Sequence, residues 1–154
     1  MAGAMPPAPG LMIQLRQAPF EPLEALADWQ RQQTGAPAAA EAHFIGRVRG
    51  HSAAGEPLEA LELEHYPGMC EAQLQRLAQD CATRHGALEV LVVHRVGRIL
   101  PGEAIVLVAV CADRRGPAQR CGQELLEALK HEAPFWKREW CKGRGTWVQG
   151  NTAW

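Results

Sequence analysis

The runs ALEVLVVHRVG (87–97) and EAIVLVAVCA (103–112), bridged by RILPGE (98–103), decide the fold. Each is rich in β-branched residues and bounded by a turn signal, the pattern of a buried strand. Pro101-Gly102 predicts a tight turn between neighbouring antiparallel strands, so the pair is expected at the centre of a sheet. Just upstream, Cys70, Leu74, Leu77 and Cys81 recur at helical spacing between Gly68 and His85, and Gly86 is a natural stop. Downstream, Pro117 opens a helix whose face carries Ala118, Cys121, Leu125, Leu126 and Leu129, and Pro134 closes it.

Further out the signals continue. FWKREW (135–140) reads as a strand with Phe135, Lys137 and Glu139 on one face and Trp136, Arg138 and Trp140 on the other. LEALELEHY (58–66) sets Leu61, Leu63 and His65 against Ala60, Glu62 and Glu64, which predicts a half-buried strand after the exposed loop HSAAGEP. AEAHFIGRVRG (40–50) and LMIQLRQ (11–17) also read as strands, and EPLEALADWQRQQ (21–33) as a helix with Leu23, Leu26, Ala27 and Trp29 near helical spacing. MAGAMPPAPG (1–10) has no charge and no period and is expected to be a flexible leader. With no repeat, residues 11–154 are expected to form one domain of the α+β class, helices packed on a mostly antiparallel sheet.

Composition narrows the function. A net charge of -1 over 154 residues excludes a broad basic face, so nucleic acid and anionic membranes are not expected partners. No run reaches the length of a membrane span, and five cysteines without a CxxC pair suggest reduced thiols packed in the core of a cytoplasmic protein. His65, His94, His131 and the cysteines have no recognised zinc spacing, so no metal is expected, and His94, within an apolar strand, reads as a hydrogen-bonded core residue. Of the 16 basic residues only Lys130, Lys137 and Lys142 are lysines. Only a lysine offers a primary amine whose pKa burial or neighbouring cations can lower.

Three local features carry chemistry. LKHEAPFWKRE (129–139) puts Lys130 in the last turn of a helix and Lys137 on the strand after a proline break, a corner that can bring both amines to one pocket. A helix-end charge and an edge-strand charge remain the plainer reading. FIGRVRG (44–50) places Arg47 and Arg49 on one strand face, where paired guanidiniums suit a phosphate or carboxylate. Arg114-Arg115, just before the Pro117 helix, combine with free backbone N–H groups into the better anion signal. Trp136, Trp140, Trp147 and Trp154 either fill the last layer of the core or form a stacking surface, the former being favoured.

In order, FIGRVRG, LELEHYPGM, HRVGRILPGE, LKHEAPFWKRE and Trp147-Val148 resemble the large subunit of molybdopterin synthase, from about Met12 to Val148. The resemblance implies an α/β hammerhead-type fold and a homodimer that binds two ubiquitin-like small subunits in a heterotetramer. It implies sulfur transfer from the small subunit's Gly-Gly thiocarboxylate tail to cyclic pyranopterin monophosphate, in two rounds that build the molybdopterin dithiolene, with no cofactor. The family's catalytic lysines fall on Lys130 and Lys137 and its substrate-contacting arginine on Arg49; Phe44, Arg47, Arg115, Arg138 and Glu139 match other pocket positions. Arg114 stands where the family has His, and since an arginine stays protonated it can bind charge but not shuttle a proton. Gly116, Pro117 and Gln119 also depart from the family pattern, and the chain stops at Trp154, where many members continue in a tail. A non-catalytic binder of the small subunit, a phosphate-ester hydrolase and a nucleic-acid module are the rival readings.

Overall fold

A computed structural model describes residues 7–148. Residues 1–6 of the expected leader and Trp154 lie outside the described residues. The elements are β1 (Gly10–Arg16), α1 (Pro22–Gln32), β2 (Ala40–Arg47), β3 (Ala60–Glu64), α2 (Met69–His85), β4 (Glu89–Arg95), β5 (Gly97–Ile99), β6 (Ala104–Ala112), α3 (Arg115–Glu132), β7 (Trp136–Cys141) and β8 (Arg144–Val148).

The two apolar runs, β4 and β6, pair antiparallel at the centre of a sheet ordered β1-β4-β6-β2, in which only β1 and β4 run parallel. Their apolarity is continuous because both faces are covered. Val90, Val92, Val106, Val108 and Val110 pack with Cys70, Leu74, Leu77, Cys121 and Leu125 of α2 and α3. Leu91, Val93, Leu107, Ala109 and Cys111 pack with Leu26 and Trp29 of α1. Burying one such aliphatic side chain is worth roughly 1.5–3 kcal/mol, so these two layers are the main source of stability. On α1, Leu23 points outward and only Pro22, Leu26 and Trp29 are buried, so the stripe is narrower than its spacing predicts.

A single sheet was the expectation from sequence, and here the structure differs. After β4 the chain leaves through Gly97, at φ 81°, into the short β5, which joins a second sheet ordered β5-β3-β7-β8. The Leu100–Glu103 turn then returns the chain to the first sheet, so Pro101-Gly102 makes a turn but not a direct β4–β6 hairpin. Buried Arg95 holds this excursion: its Nη2 donates to the Arg98 carbonyl at 2.9 Å, and its Nη1 lies 3.7 Å from Glu103 Oε1, which also accepts the Leu100 N–H. Val48, Leu58, Leu63 and Ile99 form the core of the second sheet, and Ile105 and Phe135 pack against this cluster and the α2/α3 cluster alike. Phe135 thus sits where the two sheets meet.

The helix ends follow their sequence. Gly86 closes α2 in the left-handed region at φ 68°, which costs a glycine nothing. Pro117 lies in the first turn of α3, where its missing N–H would have had no partner anyway, and α3 ends at Ala133-Pro134. Strand β2 stops at Arg47 with an irregularity after Gly46, so the two-faced reading of FIGRVRG does not extend to Arg49.

Candidate active site

Pro134 breaks the chain between the last turn of α3 and the start of β7, and this corner folds Lys130 and Lys137 onto one cavity of about 270 Å³. Apolar side chains of α3 and β6 form part of its wall, to which His94, His131, Ala133, Phe135 and Val148 are added around the two amines. Lys130 is exposed at the rim, whereas Lys137 is half-buried. Burial, followed by the positive charge of Lys130, lowers the pKa of Lys137 below the ordinary lysine value. Its neutral amine is therefore easier to reach than that of a surface lysine, as a proton-transfer group requires.

His94 projects from β4 on the same side as Val90 and Val92, toward α3. Burial pushes its pKa down to about 4, opposed by its bond to the Arg95 carbonyl and assisted by the charge of Lys137. The core reading of His94 holds in that it is buried and hydrogen-bonded, with Nδ1 2.8 Å from that carbonyl. Its place in the wall of the lysine cavity is not read from the sequence, whereas Phe135 shares the face of Lys137 as the period of two predicts. The parity of V-x-V-x-H within β4 was the available signal.

The other expected residues are spread over neighbouring surfaces. Phe44 and Arg115 line an open, mainly apolar groove of about 780 Å³ between β2 and α3; this groove shares Leu126 with the lysine cavity. Arg114 and Arg115 are exposed at the start of α3 beside Arg120, around a shallow depression of about 530 Å³. Arg114 occupies the N-cap in extended conformation without a side-chain cap, so the first-turn N–H groups stay available to an anion. Arg47 donates to the Gly102 carbonyl at 3.3 Å, and Arg49 is exposed beyond the strand end. Glu139 faces a separate depression that meets the lysine cavity at Val148. In the single chain, Phe44, Arg47, Arg49, Arg114, Arg115, Arg138 and Glu139 all lie outside the cavity lining.

Arg138 lies on the other face of β7, over the rings of Trp147 and Trp140 at 4.1 and 5.4 Å, and 3.6 and 3.4 Å from Glu62 and Glu64. Trp136 and Trp147 are 45% and 49% exposed, so these tryptophans do not fill the core as expected: Trp147, with Trp140, flanks Arg138, and Trp136 meets Tyr66 edge-on. The core instead takes cysteines. Cys70, Cys81, Cys111 and Cys121 are buried, and burial pushes their thiols up to about 11, 11, 12 and 12. Among the described residues no group of three or more His, Cys, Asp or Glu could hold a metal, and no helix is long and apolar enough to cross a membrane.

A cavity holding one exposed and one half-buried lysine in an α+β domain, with an arginine pair at the far end of the same helix α3, suits acid–base or group-transfer chemistry. Comparison with known proteins gives the particular kind. Residues 15–132 match the family described as MoaE protein. The molybdopterin synthase catalytic subunit of Cereibacter sphaeroides is 41% identical over 134 residues, 86% of this chain and 90% of that protein. The solved molybdopterin biosynthesis MoaE protein from Burkholderia ambifaria superposes with a TM-score of 0.74 at 38% identity, covering 90% of this chain and 88% of the other. The protein–protein complex of subunits 1 and 2 of molybdopterin-converting factor from Helicobacter pylori shares the fold, with a TM-score of 0.74 at 19% identity over 89% and 90% of the chains. The chain belongs to the MoaE family, that of the molybdopterin synthase catalytic subunits.

Proposed function

We propose that this protein transfers sulfur from the C-terminal thiocarboxylate of a ubiquitin-like small subunit to cyclic pyranopterin monophosphate, building the molybdopterin dithiolene in two rounds. The observation that carries the reading is the convergence of Lys130 and Lys137 on one cavity, with Lys137 partly desolvated. Lys137, the amine of lowered pKa, is the general acid–base group of sulfur attack, and Lys130 at the rim polarises the thiocarboxylate carbonyl. The Gly-Gly tail is assigned to the cavity and the pterin to the larger groove that shares Leu126 with it, whose far end carries Arg115. Phe44, Arg47, Arg49, Arg114, Arg138 and Glu139 complete the substrate-binding set in the assembled enzyme, a homodimer carrying two small subunits and working in the cytoplasm. The two-subunit complex of the Helicobacter pylori fold neighbour supports a small-subunit partner.

The test is a purified system containing this protein, thiocarboxylated small subunit and cyclic pyranopterin monophosphate, with product followed by the fluorescence of its oxidised pterin. Product is expected from wild type and should collapse in Lys130→Ala. No product despite a stable complex would favour a non-catalytic homologue that binds the small subunit without turnover.

A further inference from the structure

His94 lies 36 positions before Lys130 in the chain, on a different element, yet it forms part of the same cavity wall. Its ring is fixed from two sides. Nδ1 faces the Arg95 carbonyl, which can only accept, so Nδ1 carries the proton and donates at 2.8 Å. The face of the imidazole stacks on Phe135, with centroids 4.3 Å apart and planes inclined by 24°. Phe135 is the first residue after Pro134, and its N–H is held by the Ala133 carbonyl at 2.9 Å. Two positions later comes Lys137, and both side chains face the cavity. Pro134 ends the helical hydrogen bonding at this corner; the backbone of β7 is then held between β3 and β8, with Lys137 opposite Leu63 and Val148, so what the packing around Phe135 sets is the course of the Lys137 side chain into the cavity. The central strand β4, hydrogen-bonded on both sides, is the rigid body against which that packing occurs.

We propose that His94 is a positioning residue for sulfur transfer: its imidazole, locked on the Arg95 carbonyl, braces Phe135 and so holds Lys137 in the cavity opposite Lys130. Burial also keeps the imidazole neutral, so it adds no third cation beside the two amines. The effect on turnover rests on the sulfur-transfer reading above, whereas the effect on Lys137 rests on geometry alone.

The chain's three lysines make the second effect directly measurable. Protein made with ¹³C-labelled lysine gives three Cε signals, assigned by single Lys→Arg variants and titrated with pH in wild type, His94→Ala, Phe135→Ala and the double variant, each checked for folding by circular dichroism. Removing the brace lets water reach Lys137, so its titration midpoint should rise in either single variant while the Lys142 signal stays in place. The double variant should move Lys137 no further than the larger single change, as expected of residues acting in series. In the sulfur-transfer assay kcat should fall roughly tenfold to a hundredfold, the loss that misplacement of a reacting group by about an ångström causes. KM for the small subunit should stay within about threefold.

An unmoved Lys137 signal in a folded variant would overturn the proposal whatever the activity, and additive changes in the double variant would overturn the route through Phe135. If His94→Ala does not fold, Phe135→Ala, at a half-buried corner position, decides by the same signal. Absence of product from wild type would count against sulfur transfer and not against the brace, which the lysine signal reads independently.

Discussion

Lowering the pH from about 7.5 to about 5 should cost the fold about 2 kcal/mol through His94 alone. In the folded chain burial brings this imidazole down to about 4, against 6.5 for an unperturbed histidine. As pH falls through 6.5 the unfolded chain takes up a proton that the folded chain refuses, so stability drops from there until the folded ring titrates near 4, and then levels off. The whole gap corresponds to about 3 kcal/mol, of which about 2 kcal/mol has developed by about pH 5. Urea unfolding at both pH values, for wild type and His94→Gln, isolates the effect, because glutamine keeps an N–H for the Arg95 carbonyl and does not titrate. The depressed carboxyl groups of Glu41 and Glu124 contribute stability that is lost only as pH falls below 4.5, and they do so equally in both proteins. The pH dependence of wild type should exceed that of the variant by about 2 kcal/mol; parallel behaviour would show that His94 is not held neutral by burial.

Other consequences are simpler. With four thiols buried and pushed up to about 11 or 12, a disulfide reagent at neutral pH should modify at most the half-buried Cys141 in the native protein and all five cysteines after denaturation. Leu125→Ala should destabilise by about 2–5 kcal/mol in urea unfolding, because the side chain is fully buried among α2, α3 and the central strands. Gly86→Ala should cost about 1 kcal/mol in the same assay, since at φ 68° nothing but the new Cβ and its own backbone is in conflict.

The parts of the fold that sequence made legible are those whose burial is simple. The runs of β4 and β6 read as central strands because both their faces are covered, and α2 and α3 read as helices because each buries one stripe and ends at a Gly or Pro. The second sheet was illegible because β5 is only three residues long and its departure is fixed by Gly97 and by Arg95, whose partners are set by tertiary structure. The lysine pair could be read from the Pro134 corner alone, since helix, break and strand follow one another in the chain. The wall opposite could not, because His94 reaches the cavity from a strand distant in sequence. Similarly, period-two alternation placed Arg138 opposite Lys137 and on the face of Trp140 correctly, but not Trp147, which reaches the same guanidinium from β8.

Sulfur transfer as proposed depends on an amine of lowered pKa at Lys137 and not merely on positive charge there. Lys137→Arg separates the two, because a guanidinium keeps the charge and does not give up its proton. In a single turnover with excess enzyme, intact-mass spectrometry would follow conversion of the small subunit from thiocarboxylate to carboxylate in the presence of cyclic pyranopterin monophosphate. The folded Arg variant should still bind the small subunit but transfer sulfur slower by roughly a hundredfold or more, the scale of a lost acid–base group; transfer at the wild-type rate would mean that charge alone suffices and that Lys137 moves no proton.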